Sequence, residues 1–246
     1  MITFLFITLI GLLAGILIGT IGIGGVILVP LLSFVLGFDL HFAMAASSLS
    51  FIFPGIVGTL TYARKKSIVW NKVLWLSVGI IPAALIGALV NTNLTSDVLV
   101  LIMAGLITFS GINVFISRQK KSGVIPDFGI PLLIIIGAFV GFVSSLTGTG
   151  GPVLLVPILI TLNYPVLKSI GISQAIQLPI AFFAVIGFWF YVQIDLGLGL
   201  HLGISQAAGA FIGVQIAHRL PIVQLRRLVA IALIGVGAIM FWKIVV

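Results

Sequence analysis

A glycine motif occurs twice in this chain, each time in the middle of a long apolar run. Its copies are residues 21–25 (Ile-Gly-Ile-Gly-Gly) and 147–151 (Thr-Gly-Thr-Gly-Gly), and a proline follows each copy, at Pro30 and Pro157. Glycine interrupts a helix because it lacks a Cβ and adopts conformations that other residues avoid. A helix broken inside a bilayer is tolerated only where its unpaired N–H and C=O groups line a cavity or are buried in protein. Two breaks in corresponding halves of one chain are typical of a transporter's substrate site.

The composition predicts an integral membrane protein. Hydrophobic residues make up 61% of the chain and charged residues 7%, whereas a soluble domain carries about 25% charged residues. The chain has no cysteine, which excludes disulfides, thiolate metal sites and cysteine nucleophiles, and we expect no cofactor and no metal. The net charge of +8 comes from basic residues in short loops, so it indicates orientation in a lipid bilayer and not nucleic-acid binding. Residues 2–20 lack a basic n-region and a cleavage site, and we expect them to be a retained membrane segment.

The hydropathy pattern divides the chain into ten apolar runs. A helix crosses the hydrocarbon core in roughly 20 residues, and two of the runs, 24–38 and 152–164, are shorter. Each short run directly follows a glycine motif, as expected for the second arm of a broken or re-entrant hairpin, and its length leaves open whether it crosses or re-enters. The ten runs cover residues 2–20, 24–38, 42–63, 73–91, 97–117, 129–147, 152–164, 170–191, 199–217 and 224–245.

The two halves of the chain repeat each other at a shift of 126 residues. This shift maps Gly24 onto Gly150, and it maps six further pairs: Gly11 and Gly137, Gly15 and Gly141, Gly22 and Gly148, Ser47 and Ser173, Gly87 and Gly213, and Gly111 and Gly237. We therefore predict an all-α polytopic fold of two repeats with five segments each, occupying residues 1–117 and 129–246. Because five is an odd number of segments, the repeats should be inverted, with residues 118–128 as a cytoplasmic linker.

The charged residues support this topology through the positive-inside rule. A topology of ten segments places eleven of the twelve basic residues on one side of the membrane, and Lys243 is the exception. Three aspartates, Asp39, Asp97 and Asp195, lie on the other side. The fourth, Asp127, lies on the same side as the basic residues. The cytoplasmic group is Arg64, Lys65, Lys66, Lys72, Arg118, Lys120, Lys121, Lys168, Arg219, Arg226 and Arg227. Both termini are then predicted outside, so the first break is approached from the outer face and the second from the cytoplasm.

These motifs resemble the TauE/SafE sulfite exporter family, also called the toluene sulfonate uptake permeases. The resemblance is carried in the first half by the glycines from Gly15 to Pro30, by Ala46-Ser47-Ser48 and by residues 79–87. In the second half it is carried by residues 148–151, by Gly171-Ile172-Ser173 and by Gly209 to Arg227. It implies a multi-pass protein of the inner (cytoplasmic) membrane that moves sulfite, sulfoacetate or other sulfonates.

The residues around the two breaks suggest how an anion would be bound. No lysine or arginine lies near the centre of a segment and the chain has no glutamate, so the positive ends of helices at 24–27 and 150–154 are the expected anion receptors. Hydroxyl and amide side chains would add hydrogen-bond donors. The predicted substrate-binding residues are Gly22, Gly24, Gly25, Ser47, Ser48, Thr147, Gly148, Thr149, Gly150, Gly151, Ser173, Gln174 and Gln177.

Each of these features also has a purely structural interpretation. Ser47 and Ser173 are equally suited to bonding back to their own helices, and Gln206 to hydrogen bonding between helices. Small residues outside the breaks favour close helix packing, either within the protomer or between two copies, so a homodimer is an open alternative. These small-residue faces are Gly11/Gly15/Gly19, Gly79/Ala83/Gly87 and Ser205/Gly209/Gly213/Ala217.

Export down the membrane potential is the predicted function, since an anion leaving a negative interior gains about 2.3 kcal/mol per charge per 100 mV. An anion channel is a rival because broken helices also suit pores. Proton-coupled uptake would require His41, His201 or His218 to titrate. A serine hydrolase using Ser205 and His201 is the remote enzymatic alternative, although the chain has no G-x-S-x-G motif. We predict that the protein is not an enzyme.

Overall fold

The computed structural model describes residues 2–116, 127–192 and 194–245, and these residues form eleven α-helices and no β-strand. The second helix continues as a π-helix over Leu31–Val35, directly after Pro30. The helices are α1 Ile2–Ile21, α2 Gly24–Pro30, α3 Leu40–Ser50, α4 Ile52–Arg64, α5 Trp70–Asn91, α6 Ser96–Ile116, α7 Ile130–Thr147, α8 Pro152–Thr161, α9 Val166–Trp189, α10 Leu196–Arg219 and α11 Ile222–Val245.

Among the described residues, seven helical stretches are long and apolar enough to cross a membrane. One of them joins α3 and α4 into a single stretch, Leu40–Arg64. The all-α polytopic prediction is therefore confirmed. Several helices begin a few residues before the predicted segments, at Trp70, Val166 and Leu196, because hydropathy marks only the hydrocarbon-crossing part while helices extend into the interface.

The first broken segment is a re-entrant hairpin. Thr8, near the start of α1, contacts His201 near the start of α10 (Oγ1 to Nε2, 2.7 Å), and α1 then runs parallel to α10. After the break the chain turns back, so that Gly24 packs against Ala14 of α1. The chain then reaches Asp39 at the end where α1 began. Residues 24–38 therefore re-enter and do not cross.

The second broken segment is a hairpin that enters from the opposite end. Phe128, just before α7, packs on Tyr164, just after α8, with 5.8 Å between the ring centroids. The two ends of this hairpin therefore lie side by side. Residues 152–164, like the first short segment, return to the end from which they came.

The predicted packing role of the small-residue faces is confirmed. A Cβ on Gly15 of α1 would overlap the backbone of Gln206 in α10, and a Cβ on Gly79 of α5 would overlap the carbonyl of Ile134 in α7. Helix pairs α1–α10 and α5–α7 thus approach at backbone distance, as small residues allow. The third face, on α10, is the partner of the α1 face, since a Cβ on Gly213 would overlap the carbonyl of Ile16. The homodimer, the inverted repeat and its bounds stay predictions.

Charged residues separate toward the two ends of the molecule. At one end, which we call the basic end, Ser67 Oγ lies 3.1 Å from Nε2 of His218, which joins the ends of α4 and α10. The opposite, acidic end has Asp39 and Asp195 as helix N-caps, accepting hydrogen bonds from the amides of Phe42 and Leu198. The predicted residues Arg118, Lys120 and Lys121 lie outside the described part of the chain. The described basic-end residues include Arg64, Lys65, Lys66, Lys72, Lys168 and Arg219.

A buried lysine contacts both ends of the second hairpin at the basic end. The Nζ of Lys72, at the start of α5, lies 3.0 Å from Oδ1 of Asp127. It also lies 5.0 Å from the ring centroid of Phe128 and 5.7 Å from that of Tyr164. One cation therefore contacts both ends of the hairpin, through an ion pair and two aromatic faces.

This ion pair predicts a pH-dependent contribution to stability. The hydrogen bond and charge of Lys72 lower the pKa of Asp127, so the stabilisation is present above the ordinary carboxyl pKa and is lost as the pH falls through the lowered value. Asp127→Asn should lower the melting temperature in detergent at pH 7, and the difference from wild type should vanish in acid. The control is Asp97→Asn at the acidic end; a difference that is constant with pH would contradict the prediction.

Candidate functional site

Both glycine motifs interrupt their helices, as predicted. Helix α1 ends at Ile21 and Gly22 follows with φ 80°; α7 ends at Thr147 and Gly148 follows with φ 62°. A second left-handed residue, Gly150 (φ 78°), completes the turn into α8. These backbone angles favour glycine, and residues 20–26 and 143–157 are buried throughout.

The two hairpin tips meet each other inside the protein. A Cβ on Gly25, at the start of α2, would overlap the carbonyl oxygen of Thr149, and one on Gly22 would contact the ring of Pro152. Each hairpin tip therefore packs directly against the other. This contact brings the two breaks to a common centre.

The second helix start offers fewer free amides than the sequence suggested. Pro152 is the first residue of α8 and has no N–H, and the amides of Leu154 and Leu155 donate to Gly151 O. At the first start the amide of Val26 likewise donates to Ile23 O, while Gly24 and Gly25 lack a carbonyl one turn earlier in their own helix. Both predicted receptors, 24–27 and 150–154, therefore have fewer free amides than expected, and the second also lacks the amide of its first helical residue.

A narrow void with a buried lining lies beside the meeting point of the tips. It encloses about 200 Å³ of space between atoms and is nowhere wide enough for a water molecule. Helices α3, α7 and α9 and the second break surround it. The lining residues are Ser48, Phe51, Ser144, Gly150, Gln177, Ile180, Ala181 and Ala184.

One serine hydroxyl on this void, and two that neighbour void-lining residues in the chain, lack hydrogen-bond partners. Within the described residues, the Oγ atoms of Ser144, Ser145 and Ser47 have no hydrogen-bond partner, and Ser144, which lines the void, is 1% exposed. A buried hydroxyl without a partner costs about 1–3 kcal/mol. The Ser144 hydroxyl is therefore available to donate a hydrogen bond to an acceptor that enters the void.

The buried amide side chains hold the backbone around the breaks. Gln177 Nε2 donates to Phe51 O (3.0 Å), and Gln174 Nε2 donates to Ile18 O in the last turn of α1 (2.7 Å). Gln206 Nε2 donates to Ser50 Oγ (3.0 Å), which confirms its predicted role between helices. Of the predicted glutamines, Gln177 lines the void while Gln174 supports the first tip.

The side chains of two other predicted residues form hydrogen bonds to residues near them in the chain. Ser173 Oγ donates to Ser169 O (2.7 Å), so its structural interpretation is confirmed. Thr147 Oγ1 lies 2.7 Å from Val143 O and 2.8 Å from Thr149 Oγ1. Of the predicted set, the structure therefore places Ser48, Gly150 and Gln177 on the void. The other predicted glycines and threonines form the breaks and Gln174 supports the first one, whereas the side chains of Ser47 and Ser173 form no hydrogen bond to either break within the described part of the chain.

Sequence reasoning missed several residues of this region. Ser144, Ser145 and Phe51 were overlooked, as were Tyr62 and Asn91, whose side chains bond to the hairpin tips. The available signal was a departure from the repeat, since Ser144 and Ser145 are the counterparts of Ile18 and Gly19.

The serine and histidine considered for a hydrolase do not form a catalytic pair. Ser205 Oγ donates to the backbone carbonyl of His201 (2.9 Å), while the His201 Nε2 faces Thr8. A nucleophile needs its base within hydrogen-bond reach. This arrangement gives the serine a structural role within α10.

Comparison with known proteins identifies the family. The profile of the sulfite exporter TauE/SafE family matches residues 7–240, which include both hairpins and the void. The chain belongs to the TauE/SafE sulfite exporter family. It is a multi-pass membrane protein, and its family and relatives indicate a transporter and not an enzyme.

Three relatives are named as probable membrane transporters. The Bacillus subtilis protein YdhB is 25% identical, over 87% of this chain and 90% of its own length. A Haemophilus influenzae protein is 28% identical over 96% of this chain and 97% of its own length. A Methanocaldococcus jannaschii protein is 24% identical over 68% and 66%. No solved structure matches this TauE/SafE chain.

Proposed function

We propose that this TauE/SafE protein is a secondary transporter that exports a small sulfur-containing anion, such as sulfite or a sulfonate, by alternating access. In this proposal the basic end faces the cytoplasm and both termini lie on the outer side of the inner membrane, following the positive-inside rule. The observation that carries the proposal is the buried void beside the two meeting hairpin tips, which Ser48 and Ser144 line and where the Ser144 hydroxyl has no partner among the described residues.

The chemistry of the void suits an oxyanion bound without a fixed positive charge. Among the described residues, the lining includes two serines and a glutamine but no lysine or arginine. Sulfite and sulfonate oxygens each accept several hydrogen bonds, which Ser48 and Ser144 can donate. Binding through neutral donors is weaker than binding by a buried cation, and a transported anion must be released after each cycle.

The narrowness of the void favours a transporter over an open channel. No water fits into the void, so an anion would enter only after one of the surrounding elements moves. Such a movement around a central site is what alternating access requires.

The predicted repeat offers an explanation for the position of the void beside the second break. Gln174 bonds to Ile18 O at the first break. Ser48 and Ser144 occupy the corresponding positions, each related by the 126-residue shift. The short serine leaves open the space that the longer glutamine fills in the other half.

A flux assay tests both the transport and its direction. In proteoliposomes loaded with sulfite, an interior-negative potassium diffusion potential should drive efflux. A potential of 100 mV should sustain about a fifty-fold concentration ratio for a monovalent anion. Protein-free liposomes are the control.

Other outcomes of the assay would replace the proposal. Efflux that follows an imposed pH gradient and ignores voltage would indicate proton-coupled movement. Unitary currents in a planar bilayer would indicate a channel. A thermal-shift panel of sulfite, thiosulfate, sulfoacetate, taurine and simple carboxylates would identify the compound, because a ligand stabilises the protein by mass action.

A further inference from the structure

Each hairpin tip is held by a side chain from a surrounding helix. The Tyr62 hydroxyl donates to Gly19 O in the last turn of α1 (2.9 Å). Asn91 Nδ2 donates to Leu146 O in the last turn of α7 (2.6 Å) and lies 3.1 Å from Met44 Sδ. Tyr62 and Asn91 are both fully buried.

The two side chains hold their tips from opposite ends of the molecule. Tyr62 lies two residues before Arg64 at the basic end, and its ring centroid is 5.0 Å from that of His218. Asn91 is followed by Thr92, which lines an open pocket at the acidic end together with Asp39 and Tyr191.

Each contact lies between the central void and one end. On the acidic side, the second tip packs on Met44, since a Cβ on Gly148 would contact that side chain. Asn91 contacts the same methionine. On the basic side, Tyr62 lies between the first tip and Ser67, whose carbonyl packs against Gly171 beside the tyrosine ring.

The carbonyls that these side chains bind have no partner in the regular helix, because they belong to the last turn. At membrane depth an unpaired carbonyl is costly. The side-chain hydrogen bond therefore favours the tip in its present position, and another donor, such as entering water, would have to replace it when the tip moves.

We propose that Tyr62 and Asn91 are positioning residues of the transport cycle. Tyr62 latches the first hairpin and closes the void toward the basic end, and Asn91 latches the second hairpin and closes it toward the acidic end. This inference rests on the proposed transport function and adds to it which residue controls which side.

Cysteine accessibility tests the two latches separately, because the chain contains no cysteine. Ala184→Cys places a single thiol on the void lining, and a membrane-impermeant maleimide is added to one side of proteoliposomes at a time. Lys65→Cys and Asn93→Cys, at exposed positions of the basic and acidic ends, report which end faces the reagent.

Opposite sidedness is the expected result. Asn91→Leu should raise the labelling rate of the Ala184→Cys thiol from the acidic end, and Tyr62→Phe should raise it from the basic end, each by about three- to five-fold for one buried hydrogen bond. The matched controls are Asn93→Leu and Tyr164→Phe, which should leave labelling from both sides unchanged. If Asn91→Leu does not fold, Asn91→Ala replaces it.

Labelling that rises from the same side in both variants, or that does not change in folded protein, overturns the latches. Sulfite flux measured on wild-type protein separates this result from failure of the proposed function. Sided labelling without anion flux would support the two latches and contradict transport of sulfite. Sulfite flux without sided labelling would support transport and contradict the two latches.

Discussion

Replacing Gly25 with alanine is expected to abolish anion flux and to lower the free energy of unfolding by about 3 kcal/mol, the upper range for overpacking a tight interior. The added Cβ would overlap the carbonyl oxygen of Thr149 and would press on the ring of Phe51. The first obstacle is backbone of the other hairpin, so no rotamer change relieves it. The two tips would have to separate, and the void beside them would lose its wall.

The measurement pairs thermal unfolding in detergent with sulfite flux in proteoliposomes. Gly105→Ala in α6 is the matched control, because a Cβ there meets nothing within 4 Å. In a helix interior this exchange should stabilise by up to about 1 kcal/mol. Wild-type flux in Gly25→Ala would contradict the direct contact between the tips.

The class of the protein and its two breaks were predictable from the sequence because both depend on local chemistry. Apolar runs must lie in lipid, and glycines such as Gly22 and Gly148 permit the left-handed backbone at which helices end. The small-residue faces were predictable for the same reason, since Gly15 and Gly79 allow backbones to touch.

Re-entry of the short segments was not predictable from their length. A run of fifteen apolar residues fits a return arm as well as a crossing of a locally thinned bilayer. Only the packing of Gly24 on Ala14, and of Tyr164 on Phe128, shows the turn. Such contacts join residues whose relation the hydropathy pattern does not contain.

The site was predictable as a neighbourhood but not residue by residue. Ser47 and Ser173 occupy corresponding positions in the predicted repeat, yet Ser173 bonds to its own helix while Ser47 has no partner among the described residues. Any serine in a helix is able to bond back, so the sequence cannot distinguish the two. The same ambiguity hid Ser144, which lies one turn before Thr147.

Replacing Ser144 with alanine is expected to separate transport from stability. The serine hydroxyl has no hydrogen-bond partner within the described residues, so its removal should leave the melting temperature unchanged or raise it. Flux should fall about tenfold, which corresponds to one hydrogen bond of about 1.4 kcal/mol to a charged ligand. A residue that only supports the fold would show the opposite pattern.

Ser169→Ala is the control for this prediction, because Ser169 is also buried but donates to Pro165 O in its own helix (3.1 Å). It should reduce stability slightly and leave flux unchanged. Apparent sulfite affinity, from flux against concentration, shows whether the Ser144 hydroxyl acts on the bound anion. A Ser144→Ala protein that unfolds at a lower temperature than wild type but transports at the wild-type rate would show that the hydroxyl contributes to packing. The void would then not be the site where the anion binds.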